Sequence, residues 1–541
     1  MQFAWRCLLA LWCAPLAAQA AQPAPAAGFD LVLRGGTLID GSGGDAVTGD
    51  VAIADDRIAA LGEFEIPAGT PVLWLEGLTI APGFIDLHGH ADGTVVRTPH
   101  CQNFLRMGVT TLITGNCGGS VENLATHFGR IDRGGIGVNY GSLIGHGTVR
   151  NAVMGSANRA PTPAELTAMQ QLVATAMRDG AFGMSTGLIY VPGSYAEADE
   201  ITALASVVGR FGGIYVSHMR NEGDAMPAAI AETIAIGEHG GCRVHVSHVK
   251  CSGKANHGRA AEMLALLDAA RARGVAVSAD QYAYDASSTG LDVLFPTAEL
   301  AIGRAEFAAR LRDDPEFRKR MKQMLLRGMA DAGFGDLRYA RIASARGNTS
   351  LNGMLLPAAA RQRLGNDGPE AQAELALTLF ADAAPSRVTM VYHKMAEADV
   401  EAFMRQPWIA IASDAGVRDP NGSSRPHPRG TGNNVRVLAR YVRERHVLDL
   451  PTAVHKMSEV PARAFGIRDR GVLRVGAFAD LVVFDPVKVQ DRATYEDPVA
   501  PPDGITHVFV NGRLAVANGE LTGVRAGRVL RHQATTSEVG K

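Results

Sequence analysis

The sequence predicts an α/β fold: a (β/α)8 TIM-like barrel with a small β-sandwich built from both chain ends and an insertion between barrel strands 7 and 8. Three observations predict it. Short apolar strands alternate with helical stretches through the middle of the 541-residue chain, the pattern of a parallel sheet. Eight such strands can be counted, ending near His90, Cys117, His146, Ser185, His218, His248, Tyr282 and Asp414. Nearly every one finishes on a polar or metal-competent residue. Core packing does not demand that, whereas a barrel carries its working side chains at the C-terminal strand ends.

Taken in order, residues 1–20 read as a secretory signal. Arg6 supplies the positive start, Cys7 to Leu16 form an apolar run too short to span a bilayer, and Ala18-Gln19-Ala20 offers a small-x-small cleavage site. Trp12 stands where a lipobox before Cys13 would need a small residue. The expectation is an exported protein, periplasmic or secreted, with no membrane span once the signal is removed. Residues 21–28 then form a flexible leader. Residues 29–79 hold short strand-like runs at 30–34, 50–53 and 71–75, separated by Gly and Asp clusters. Matching runs return at 480–485 and 507–512, so residues 29–79 and 470–525 are expected to make one small sandwich. Chain ends often meet in space.

The barrel falls in residues 80–469. Thr162-Pro163-Ala164-Glu165 combines a capping box with proline at the first helical position, and opens a helix that runs to Gly180. The rhythm breaks between Asp285 and Trp408, a stretch too long for a loop. It reads as an insertion at about residues 285–407 over the barrel mouth, placed as a lid would be. It is expected to hold helices, such as Ala305 to Ala330, and two extra strands.

Composition narrows the function. With 46% hydrophobic and 20% charged residues the chain is ordinary globular protein, and a formal charge of -2 with interspersed signs makes no field to gather nucleic acid. Cys7 and Cys13 lie in the signal, leaving Cys101, Cys117, Cys242 and Cys251. A chain of this size folds without disulfides, and Cys117 has a better use.

His88 and His90 end the first strand, where residues i and i+2 point the same way and both imidazoles can face the mouth. Cys117 ends the second. A free cysteine is by default a small buried hydrophobe, but at the mouth its thiolate is a soft, anionic ligand suited to zinc. Strands five and six have parallel endings, Tyr215-Val-Ser-His218 and His245-Val-Ser-His248, each followed by one residue and then a base, Arg220 or Lys250. By strand alternation His245 points elsewhere. Asp414 ends the eighth strand as a candidate metal ligand and general base; alone it would read as a helix cap. Four His, one Cys and one Asp suffice for one tight zinc and a second, weaker site. Met184-Ser185-Thr186 brings no lysine or carboxylate to the end of strand four, so Cys117 is left to supply the anionic charge. His146 and Asp280 stay open between supporting and structural roles.

These motifs resemble the amidohydrolase superfamily, and within it the N-acyl-D-amino-acid deacylase (D-aminoacylase) branch. The resemblance runs from about Leu31 to Gly519. It rests on Pro82-Gly-Phe-Ile-Asp-Leu-His-Gly-His90, Gly115-Asn-Cys-Gly118, Gly187-Leu-Ile-Tyr-Val-Pro-Gly193, Ser217-His-Met-Arg220, Ser247-His-Val-Lys250, Asp280-Gln-Tyr-Ala-Tyr284, Ser413-Asp-Ala-Gly416, His427-Pro-Arg429 and the stretch from Arg470 to Asp480. It implies a tight zinc held by Cys117, His218 and His248, and a weaker position at His88, His90 and Asp414, with Asp414 as catalytic acid/base. It further implies that Lys250, Tyr282 and Ser288 hold a substrate carboxylate, with Tyr190 and Arg220 nearby. The branch has proline between its two tyrosines; this chain has Ala283. The implied substrate is a small carboxylated amide, an N-acyl-D-amino acid. The alternative is another carboxylated amide, a dipeptide or a cyclic amide, on the same metal site.

Overall fold

The computed structural model describes residues 28–533. The expected signal, and the leader up to residue 27, lie outside the described residues. The barrel strands are Phe84–Asp86, Val109–Thr114, a third strand broken into Asn139–Ser142 and Ile144–Gly145, then Gly183–Gly187, Ile214–His218, Arg243–Val246, Val277–Gln281 and Ile409–Ile411. Each pairs in parallel with its sequence neighbour, in two arcs that meet at the break in the third strand. The ring closes between first and eighth strands through a parallel bridge of Gly89 with Ala415, where the His90 amide donates to the Ala415 carbonyl at 2.9 Å. Asp86 reinforces the seam by accepting the Ser413 amide at 3.1 Å. The second strand, Val109–Thr114, is covered on both faces and buried throughout, its threonines included.

The helix Pro163–Asp179 carries both bonds of its capping box. The Glu165 amide donates to Thr162 Oγ1 at 3.3 Å and the Thr162 amide to Glu165 Oε2 at 2.7 Å. Gly180 ends it with φ 106°, which favours a residue without a Cβ.

Both chain ends enter one nine-stranded sheet. Strands Leu31–Leu38, Val47–Ala54, Arg57–Gly62, Val72–Trp74 and Thr79–Pro82 join Leu481–Phe484, Ile505–Val510, Arg513–Ala517 and Glu520–Leu521. The joint is an antiparallel ladder pairing Leu481 with Pro82 and Phe484 with Thr79, just ahead of the first barrel strand. Leu33, Ile53, Ile80, Val483 and Phe509 from both ends share one core. Buried Asp480 locks this unit to the barrel: it pairs with Arg470, accepts the Asn511 amide at 2.7 Å and accepts Asn139 Nδ2 of the third barrel strand at 2.9 Å. The chain then runs on beyond residue 525 as a strap along that strand. Its Leu530 amide donates to Tyr140 and its His532 amide to Gly180.

The insertion is a unit with its own apolar core, centred on Phe295, Phe307, Phe317 and Phe380. Three antiparallel strands, Ser287–Gly290, Thr389–Tyr392 and Ala340–Ser344, stand where two were expected. Ser287–Gly290 is short and polar and gives no apolar alternation to read. The expected helix from Ala305 to Ala330 is instead two, Arg304–Asp313 and Pro315–Asp331. The Asp314 side chain accepts the Phe317 amide as an N-cap, and Pro315 cannot continue the preceding helix. Among the described residues no helix is long and apolar enough to cross a membrane.

Removing one partner of a buried, hydrogen-bonded pair leaves an uncompensated charge. Asp480→Ala is therefore expected to lower stability by about 3 kcal/mol. An earlier urea midpoint would register the loss, and an unchanged midpoint would show that the two units do not depend on this carboxylate.

Candidate metal centre

The six side chains expected to ligate metal come together at the C-terminal strand ends. His88 Nε2 lies 3.2 Å from Cys117 Sγ and 3.7 Å from Asp414 Oδ1. Cys117 Sγ lies 3.5 Å from His248 Nε2, and His90 Nε2 lies 2.9 Å from Asp414 Oδ1. Three overlapping triads result: His88, His90 and Cys117; Cys117, His218 and His248; His88, His248 and Asp414. Within each, the donor atoms all lie within 4.8 Å of one another.

The surroundings fit a metal ion. His218 is buried, and neither ring nitrogen has a hydrogen-bond partner; buried polar atoms are rarely left so. Burial also holds this imidazole well below its usual pKa, with its lone pair free. Burial, with Asp414 and Glu222 close by, pushes the Cys117 thiol well up, so a thiolate there calls for a cation. Sulfur, imidazole and carboxylate donors are those zinc takes. Three of the six residues, Cys117, His248 and Asp414, have φ of 53°, 34° and 49°. Non-glycine residues persist in this left-handed region only where their surroundings hold them, and functional sites are where they cluster.

A second ring of groups orients the first. Asp280 accepts from His88 Nδ1 at 3.2 Å, from His245 Nε2 at 2.8 Å and from the His248 amide at 2.7 Å. Burial opposes its ionisation, but the two imidazoles hold its carboxyl below the usual carboxylate range. The open question over Asp280 thus resolves to support of the histidines, and His245 turns away from the mouth as alternation required. Glu222, which the sequence gave no reason to single out, lies 2.9 Å from His248 Nδ1 and pairs with Lys250, whose Nζ lies 2.7 Å from the same nitrogen. Such partners fix which ring nitrogen faces the metal position. His146 donates to Glu200 at 2.8 Å, and Arg150 pairs with the same carboxylate. This buried cluster braces the segment that follows strand three and does not reach the metal donors.

A cavity of about 720 Å³ opens beside these residues, lined at one end by Lys250, Tyr282, Ser288 and Arg429 and flanked by Tyr190. Tyr190 packs its ring 4.9 Å from that of His218. Ser288 Oγ donates to the Met390 carbonyl at 2.8 Å and keeps its lone pairs. Arg220, expected near the substrate, does not line this cavity. Its guanidinium is taken up by Glu232 at 2.9 Å and by the carbonyls of Ser194 and Ala196, because its strand turns it toward the helix that carries Glu232. Arg429, which the cavity lining does include, stands beside the metal donors instead. It contacts Asp414 at 2.9 Å and lies 4.5 Å from the Tyr282 ring centroid, while its buried Nε and Nη1 have no partner. The His427-Pro-Arg429 motif was its one signal in the sequence. His427 Nδ1 accepts the Arg429 amide at 3.0 Å and so fixes the turn.

The Amidohydrolase family model matches residues 75–516. The chain belongs to the amidohydrolase family. Within that family it is similar to the N-acyl-D-glutamate deacylase of Alcaligenes xylosoxydans xylosoxydans, 36% identical over 94% of this chain and 97% of the relative. It is also similar to the D-aminoacylase of the same organism, 36% identical over 94% and 98%. Among solved structures, the N-acyl-D-glutamate deacylase of Bordetella bronchiseptica, complexed with zinc and a phosphonate inhibitor, superposes with a TM-score of 0.77. It is 35% identical and covers 93% of this chain and 100% of its own. This amidohydrolase is thus placed beside the D-aminoacylases in both sequence and fold.

Losing an outer hydrogen-bond partner of metal-binding imidazoles lowers metal affinity about 10–100-fold. Asp280→Asn is expected to weaken zinc binding to that extent, as read by competition with a chromophoric chelator. Unchanged affinity would reduce Asp280 to a packing role.

Proposed function

We propose that this amidohydrolase is a zinc-dependent deacylase that cleaves the amide bond of N-acyl-D-amino acids to a carboxylate and a free D-amino acid. The observation that carries the reading is the convergence of Cys117, His218 and His248 around a buried imidazole without other partners. In this reading these three residues hold the tight zinc, and His88, His90 and Asp414 form the weaker position. Zinc in such a site acidifies water and polarises an acyl carbonyl.

The chain's own residues do the rest. Arg429 lines the cavity beside Tyr282, and its guanidinium is suited to pair with the substrate carboxylate. Lys250, Tyr282 and Ser288 complete the cradle. Lys250 is held by Glu222 and Arg429 by Asp414, which fixes both cations on the cavity wall. Holding the carboxylate there orients the amide toward the ligand cluster and converts an encounter into a positioned reaction. Asp414 takes the proton from the attacking water and returns it to the leaving nitrogen, which must be protonated to depart. Arg429 and His90, each 2.9 Å from its carboxylate, fix its orientation. The D-configuration rests on the likeness to the deacylases named above.

Asp414→Asn is expected to retain zinc while kcat falls about 10²–10⁴-fold, the range for loss of a general acid/base. Full turnover in that variant would sink the role. Amine release from N-acetyl-D- and N-acetyl-L-amino acids, dipeptides and cyclic amides decides the substrate class. Cleavage confined to the last two groups would replace this reading with the dipeptidase or cyclic-amidase one.

We also propose export to the periplasm or beyond, supported by Arg6, the apolar run from Cys7 to Leu16 and Ala18-Gln19-Ala20. The mass of the mature protein from a periplasmic extract is expected to correspond to a chain lacking residues 1–20. An intact N-terminus there would refute cleavage.

A further inference from the structure

Strand four, Gly183–Gly187, ends in no metal donor, yet it touches two members of the triad Cys117, His218 and His248. Its Ser185 is fully buried and bonds both ends of the turn that carries Cys117. Ser185 Oγ donates to the Gly115 carbonyl at 2.5 Å and accepts from the Gly118 amide at 3.0 Å. A hydroxyl both donates and accepts, so one atom closes the four-residue turn Gly115-Asn-Cys-Gly118 across its open side. Asp92, from the loop after the first strand, accepts the Gly115 amide at 3.2 Å, and Asn116 Nδ2 donates to the Leu87 carbonyl at 3.0 Å. Those two bonds tie the turn to the first strand. Ser185 spans it from its first residue to its last.

Two residues further along, Gly187 pairs in parallel register with His218, and the Leu188 amide donates to the His218 carbonyl at 3.0 Å. The Cys117 carbonyl lies so close to Gly187 that a Cβ there would clash with it. One short segment thus holds the turn of the thiol on one side and runs beside an imidazole on the other. The backbone explains why a clamp is needed. Cys117 sits at φ 53°, a conformation that a residue with a Cβ keeps only when its neighbours enforce it. Alanine at position 185 would leave a buried amide and a buried carbonyl unbonded, a cost the turn lowers by moving. We propose that strand four is the seat of the zinc thiolate: Ser185 is a positioning residue that fixes the Cys117 turn, and Gly187 leaves room for that turn beside His218. This rests on the reading in which Cys117 and His218 hold the tight zinc, and it adds what sets the spacing between them.

The test uses the full-length chain freed of metal and reloaded with zinc, or with cobalt(II), whose bond to a thiolate gives a near-ultraviolet charge-transfer band. In Ser185→Ala, zinc affinity measured by chelator competition is expected to fall about 10–100-fold, the range for losing a partner outside the ligands themselves. The cobalt band is expected to weaken or shift. Amine release at saturating zinc is expected to show a lower kcat with KM unchanged, because the residues of the carboxylate cradle are untouched. Gly187→Ala, which presses on the same turn, is expected to move affinity and band in the same direction, and it decides by those two readouts should Ser185→Ala not fold. A folded Ser185→Ala with an earlier urea midpoint, but with the zinc affinity and cobalt band of the unaltered enzyme, reduces Ser185 to packing and overturns the assignment. An unaltered enzyme whose cobalt form lacks the thiolate band fails at the earlier step and takes the tight-zinc reading down with this one.

Discussion

The carboxylate of Asp280 accepts hydrogen bonds from three groups on two other barrel strands, and the geometry of the mouth depends on that meeting. His88 reaches it from the first strand, His245 from the sixth, and the His248 amide from the end of the sixth. A buried anion is stable only when its lone pairs are satisfied, and here they are satisfied by groups whose positions the metal centre requires. The same bond that makes the burial tolerable sets the tautomer of His88 and turns its Nε2 toward Cys117. A barrel brings the strand ends close; this carboxylate determines how the rings are aimed.

Charge elsewhere at the mouth is matched in the same manner. Glu222 lies between Lys250 and the Nδ1 of His248, and Asp414 lies between His90 and Arg429. Each carboxylate steadies an imidazole while it holds a cation at the cavity wall. The site is therefore organised before any ligand arrives, which is the condition under which fixed dipoles and charges act most strongly on a reacting group.

Much of this arrangement was legible because barrel topology converts a linear pattern into a spatial one. His88, Cys117, His218, His248 and Asp414 each follow an apolar run, and parallel register alone brings such positions to one rim. The helix at residues 163–179 was equally plain, since its capping box is a local signal. What stayed hidden depends on longer reach. Glu222 sits four residues past a strand end, in a loop with no periodicity. Arg429 arrives from a helix after the eighth strand, and only its motif hinted at a role. Arg220 shared the Ser-His-x-base pattern with Lys250, yet its side chain runs to Glu232 on the following helix, a choice that spacing cannot reveal. Asp314-Pro315 divided a helix whose composition looked continuous. The third strand of the insertion, Ser-Ser-Thr-Gly, pairs through its backbone and carries no apolar stripe.

The strap beyond residue 525 has a consequence for how the chain reaches this state. Gly527, Arg528 and Leu530 hydrogen-bond along the third barrel strand, and His532 reaches Gly180 and the Phe211 carbonyl. Leu530 packs against an apolar cluster that includes Ile85, Phe182 and Ile214. The sheet begun by Leu31–Leu38 is thus completed only by the strands from Leu481 to Leu521, and the barrel's outer cover only by residues 527–532. Contacts of such wide sequence separation form slowly, so this seam closes among the last parts of the fold.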